Sequence, residues 1–196
     1  METQQTEQRE SLLDSPMSLL LRVRNFLFGE EKPDGYTQVT FYINLVLWVI
    51  FFLWSCISYF AISLRTVIEE QKSIPVEGIL MNRGIELGFQ PSDFLDRLVT
   101  FHLISILCWI AVFIGLILLW RKDLRFVYFF FGGMVIYIGM MLFYLNLSYY
   151  KEDTTFFDKI SFIAMNALGV MYYFLLKKEE NGGSLSFFGE EDSDDE

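Results

Sequence analysis

Residues 98–120 read LVTFHLISILCWIAVFIGLILLW, a run without a single Asp, Glu, Lys or Arg. About 20 apolar residues rising ~1.5 Å each cross the ~30 Å hydrocarbon core of a bilayer, so this run is long enough to span on its own. A helix inside a soluble bundle would keep a polar stripe, and a barrel strand would alternate with period two. The run does neither. Working outward, residues 41–64 and 126–150 have the same character, and 160–176 forms a shorter fourth segment. At ~1.5 Å per residue that segment reaches only about 26 Å, so Phe156, Phe157 and the snorkelling Lys177 and Lys178 are expected to extend it. Tyr and Trp near the segment ends (Tyr42, Tyr59, Trp120, Tyr128, Tyr149 and Tyr150) fit an interfacial aromatic belt.

The 196-residue chain is 53% hydrophobic and only 20% charged, with a net charge of −10 and two Cys. That composition argues against a soluble globular enzyme, a nucleic-acid binder built on a basic patch, and a disulfide scaffold. The expected fold class is an all-α membrane protein. Its four-transmembrane-helix bundle covers 41–176, after a disordered stretch 1–14 and an amphipathic interfacial helix 15–29, and before a disordered acidic tail 177–196. Some forty mostly polar residues precede the first span, so it is expected to act as an uncleaved insertion signal. A plasma or bacterial inner membrane is expected in preference to an internal one.

Four spans put both termini and the 121–125 turn on one side. That side holds Arg9, Arg22, Arg24, Lys32, Arg121, Lys122, Arg125, Lys177 and Lys178, nine of the 15 basic residues. The 65–97 loop and the 151–159 turn hold the rest, Arg65, Lys72, Arg83, Arg97, Lys151 and Lys159. The positive-inside rule therefore predicts cytoplasmic termini. The expected outcome is that cysteines introduced at Ser73 and Thr154 react with an impermeant thiol reagent on intact cells, whereas those at Thr3 and Ser184 react only after permeabilisation. The opposite labelling pattern would invert the topology.

Ser15 and Pro16 are an N-cap and first-turn pair, and Gly29 is a helix stop. Between them Met17, Leu19, Leu20, Leu21, Val23, Phe26, Leu27 and Phe28 leave a narrow polar stripe of Ser18, Arg22 and Asn25, with Arg24 beside it. Such a helix is too short to span, so it is expected to lie in the headgroup region with its arginines toward anionic lipid, the alternative being that it packs against the cytoplasmic face of the bundle. Phe28–Gly29–Glu30–Glu31 recurs as Phe188–Gly189–Glu190–Glu191 in the tail. An aromatic residue followed by acids makes Phe28, Glu30, Phe188 and Glu190 candidate docking residues, against chance recurrence in a Phe- and Glu-rich chain. In the 65–97 loop, Pro75, Gly78, Gly84, Gly88 and Pro91 forbid a long helix, and a short one is expected over about Val76–Arg83. Pro91–Ser92–Asp93 should open a helix continuous with the second span, with Asp93 and Arg97 paired four residues apart.

No phosphate-binding loop, dinucleotide fingerprint or nucleophile elbow is present, and one His with two Cys cannot assemble a metal site. No cofactor is expected, and no enzyme activity. The candidate polar site is His102, Ser105 and Asn146, with His102 read first as a hydrogen-bonding group of the bundle and second as a ligand contact. Gly132 and Gly139, seven residues apart with Asn146 next in the series, and Ala111 with Gly115, are candidate close-packing faces. Two functional readings follow. The first is a non-enzymatic membrane subunit or scaffold meeting membrane lipid and protein partners through its spans and termini. The second is a carrier or binding protein for a hydrophobic or small neutral molecule, using a cavity near the 65–97 loop and His102.

Overall fold

The computed structural model describes residues 32–72 and 75–180, together with Arg22, Arg24, Asn25, Phe28 and Gly29. Among these residues the protein is all-helical, with no strand. Six helices follow one another: α1 (Gly35–Ser63), α2 (Arg65–Lys72), α3 (Val76–Glu86), α4 (Pro91–Trp120), α5 (Phe126–Glu152) and α6 (Phe156–Glu180). α1, α4, α5 and α6 are 29, 30, 27 and 25 residues long and apolar enough to cross a membrane. The 1–14 stretch, most of 15–29 and the tail from 181 lie outside the described residues. Gly29 adopts φ 79° and donates its N–H to the Asn25 carbonyl at 2.8 Å, the geometry of a helix stop.

Polar residues set the helix ends. Asp34 accepts the Thr37 N–H at 3.1 Å and starts α1 well before the apolar run at Phe41. Thr155 and Asp158 form a reciprocal capping box. Asp158 Oδ2 accepts the Thr155 N–H at 3.0 Å, and Thr155 Oγ1 accepts the Asp158 N–H at 3.1 Å. That cap lengthens the fourth apolar helix to Phe156–Glu180 and removes the shortfall expected for 160–176. α3 ends in a Schellman turn at Gly88, φ 86°, with Phe89 N donating to the Gly84 carbonyl at 2.8 Å. α4 ends in the same motif with Lys122 at φ 55°, where Asp123 N meets the Leu118 carbonyl at 2.9 Å. A lysine there is strained by roughly 1 kcal/mol relative to glycine, and its ammonium meets Asp34 and Glu179, each at 2.9 Å. Partial burial pushes Asp34 up, but hydrogen bonds from Lys122 and Thr37 outweigh it and hold its carboxyl below the usual range.

Each long helix packs on its neighbours in sequence, and α6 returns to α1; α4 sits most deeply between α1 and α5. Where both sides are apolar and lipid competes, close backbone approach decides which helices touch. Gly115 supplies it, because an added Cβ would lie 2.6 Å from the Phe130 backbone nitrogen. Gly133 does the same against Val112 and the Cys108 carbonyl, and Gly169 against the Phe130 ring. Gly132 and Gly139 meet nothing within 4 Å among the described residues, so there they are not the close-packing face expected of them. The face that packs starts one residue on, at Gly133, about 100° around the helix. Ala111, the other half of the small pair with Gly115, is half-buried.

At the end that carries residues 121–125, Tyr172 hydroxyl donates to the Leu119 carbonyl at 3.0 Å and lies 3.2 Å from Thr37 Oγ1, tying α6 to α4 and α1. At the opposite end the 65–97 segment folds onto the bundle. Leu87 and Phe94 are buried in one cluster with Ile62, Leu98, Phe101, Met141 and Leu145. Arg83 of α3 reaches Asp153 at 2.6 Å and Glu152 at 3.2 Å, fastening this segment to the α5–α6 turn. The expected Asp93–Arg97 pair is present at 2.8 Å.

Candidate functional site: an aromatic cavity at the long-loop end

Between the four long helices, toward the 65–97 end, lies a cavity of ≈ 80 Å³. α1 contributes Phe51, Trp54 and Ser55, and α4 contributes Phe101 and His102. Tyr137, Ile138 and Met141 of α5 succeed one another at one helical turn, while Phe162 and Ile163 face them from α6. Tyr149, Tyr150, Asp153, Thr154, Asp158 and Lys159 form the rim. The aromatic rings brace one another. Phe51 stacks on Trp109 with centroids 4.9 Å apart, Trp109 meets Tyr137 at 5.2 Å, and Tyr137 stacks on Phe162 at 6.2 Å. The wall is therefore rigid, apolar and preformed.

His102 is the polar group that stands out in this wall. It is 6% exposed, and its Nδ1 is sealed from solvent with no hydrogen-bond partner among the described residues. Three other buried polar atoms lack partners, on Tyr36, Asn44 and Trp109, but none of these residues lines the cavity. A buried unpaired polar atom costs about 1–3 kcal/mol. Ser55, also on the wall, spends its hydroxyl on the Phe51 carbonyl at 2.9 Å. Lys159 Nζ donates to the Lys151 carbonyl at 3.1 Å and sits 5.2 Å from the Tyr150 ring centre.

The other two members of the sequence-derived trio are elsewhere. Ser105 is buried and bonds the Phe101 carbonyl at 2.8 Å, a within-helix contact. Asn146 breaks α5 with φ 62° and ψ 178°, a conformation that costs a non-glycine residue about 1–3 kcal/mol. Its Oδ1 accepts the N–H groups of Ser148 at 2.9 Å and Tyr149 at 3.2 Å, so it caps the short helical segment beyond the break. Its Nδ2 reaches the Leu87 carbonyl at 3.4 Å. Asn146 thus places Tyr149 and Tyr150 on the rim without touching the cavity. Backbone strain beside a cavity is a recurrent mark of sites where a fixed geometry matters.

Of the candidate docking residues, Phe28 packs edge-on against Phe41 at 5.9 Å and Trp120 at 5.8 Å, which leaves its ring half-buried. Glu30, Phe188 and Glu190 lie outside the described residues. No cluster of three or more His, Cys, Asp or Glu able to hold a metal occurs among the described residues, and Cys56 and Cys108 are free thiols. The aromatic wall carried no linear signal, because it draws single residues from four helices. His102 could be picked out since it is the chain's one histidine. In comparisons with known proteins, no family model, no curated protein and no solved structure matches this chain.

Proposed function

We propose that the protein is a multi-pass membrane protein that binds a small neutral or hydrophobic molecule in the cavity at its long-loop end. In this reading both termini and the 121–125 turn are cytoplasmic, and the cavity belongs to the outer half of the bundle. The observation that carries it is the His102 imidazole, whose buried Nδ1 has no partner among the described residues, on a wall otherwise built mainly of aromatic and aliphatic side chains. Binding sites for small ligands are mostly apolar with a few placed polar groups, and His102 is such a group. Binding is favoured over catalysis because His102 meets no carboxylate or hydroxyl among the described residues that would orient it as a base.

The scaffold reading draws on one observation of its own. Among the described residues nothing lies within 4 Å of a Cβ added at Gly132 or Gly139 on α5, and a second helix could approach that face closely. It leaves the His102 cavity without a role, so the binding reading is preferred.

The test is the molecule that co-purifies. Wild type, His102→Gln and His102→Leu are extracted in mild detergent, and the retained small molecules and lipids are measured by mass spectrometry beside the melting temperature. Wild type is expected to retain one species in stoichiometric amount. Gln, with one donor and one acceptor, should keep much of it, and Leu should lose it without losing stability. Identical retention by all three proteins would remove His102 from any binding role.

A further inference from the structure

The size of the cavity decides what it can hold. Sites that enclose a drug-sized molecule run to roughly 300–1,000 Å³, and benzene occupies a closed apolar cavity of about 150 Å³. The ≈ 80 Å³ here takes a group of a few heavy atoms, so a larger occupant must continue outside it. The side chains show where. Trp54 and Ile163 both line the cavity, yet each is 65% exposed, so α1 and α6 turn them outward at its edge. Both are apolar and sit within about 10–15 Å of the loop end of their helices, at ~1.5 Å per residue. The edge of the cavity between α1 and α6 therefore opens sideways, several ångströms inside a ~30 Å hydrocarbon core on which the helices are centred.

The rim is net acidic. Asp153 and Asp158 line it with Lys159, and Arg83, which engages Asp153 at 2.6 Å, also serves Glu86 and Glu152. Such a rim repels an anionic head. With Ser55 spent on the Phe51 carbonyl, the polar groups left are His102 and the Tyr137 phenol inside and the Tyr149 phenol at the rim, which can exchange hydrogen bonds with a hydroxyl or an ester carbonyl.

We infer that the cavity holds the uncharged, oxygen-bearing head of a bilayer lipid, inserted sideways between α1 and α6 with its chain left in the membrane. This rests on the reading of the cavity as a ligand site and adds the ligand's class and its route.

The experiment uses the full chain in phosphatidylcholine nanodiscs and three photoreactive probes carrying the same diazirine. They are a monoacylglycerol with the diazirine beside its ester, a phosphatidic acid of matched chain, and a short water-soluble alcohol. Labelled residues are mapped by mass spectrometry. The monoacylglycerol is expected to mark Tyr137 and Ile138 on the inner wall. Ile163→Trp, a change at a lipid-facing position, should cut that labelling by about tenfold, the equivalent of ~1.4 kcal/mol. Labelling of Val135, 71% exposed on the outward face of α5, should stay unchanged. Inner-wall labelling by the short alcohol that ignores Ile163→Trp would overturn the lateral route and leave the ligand site standing. Equal labelling by phosphatidic acid would overturn the uncharged head. Inner-wall labelling by none of the three would sink both this inference and the binding reading.

Discussion

Gly115→Leu is expected to produce the largest loss of stability of any single glycine change in this protein, with Gly139→Leu close to silent. At Gly115 the first added carbon would meet the Phe130 backbone nitrogen at 2.6 Å and its Cα at 2.9 Å. A backbone cannot swing aside as the tip of a side chain can, so α4 and α5 must separate. Overpacking a tight contact costs about 1–3 kcal/mol, and more when the backbone itself has to move. For a chain of this size each kcal/mol lowers the melting temperature by roughly 2–4 °C, so a fall of about 10 °C or failure to fold is expected. At Gly139 nothing among the described residues lies within 4 Å, and leucine gains helix propensity over glycine. Melting curves of the two variants in one detergent decide the matter. A large loss at Gly139 with little at Gly115 would mean that α5 is rotated, and that its heptad-spaced glycines face the bundle after all.

Asn146→Ala is the second large effect. Alanine pays the same strain at φ 62° that asparagine already pays and loses the cap on Ser148 and Tyr149, a loss of about 0.5–2 kcal/mol. Asn146→Gly loses the same cap but relaxes the backbone, so it should cost about 1 kcal/mol or less. Amide hydrogen exchange across 147–152 should quicken in Ala more than in Gly, because that segment hangs from the break. Equal stability of Ala and wild type would show that α5 runs straight through this position.

The four apolar helices were readable from the sequence because unbroken apolar length is a direct physical requirement of crossing lipid. The short α3 and the Asp93–Arg97 pair were readable for local reasons, turn residues in one case and helical spacing in the other. The rest needed three dimensions. α1 and α6 start earlier than their apolar runs because Asp34 and the Thr155–Asp158 box cap polar first turns, which hydropathy alone passes over. The choice between Gly132 and Gly133 failed because these helices are apolar on all sides. Spacing groups residues onto one face of such a helix but does not say which face turns inward. Asn146 was named as a polar candidate and as the next member of the Gly132–Gly139 series, whereas its work in the structure is to end one helical segment and start another, a role visible only in its φ and ψ. A cavity near His102 and the 65–97 loop was among the expectations, but the residues of its wall were not legible, since Phe51, Phe101, Tyr137 and Phe162 share no spacing along the chain.

Because the chain has a single histidine, labelling that amino acid alone gives a spectroscopic reporter confined to the cavity wall. The decisive measurement is magnetic resonance of protein carrying isotope-labelled histidine on an otherwise deuterated background, in protonated native lipid. The account predicts through-space cross-peaks from the His102 ring to protons of a non-protein molecule, lost when Ile163→Trp narrows the gap. Cross-peaks to water or to neighbouring side chains alone, unchanged in that variant, would contradict it.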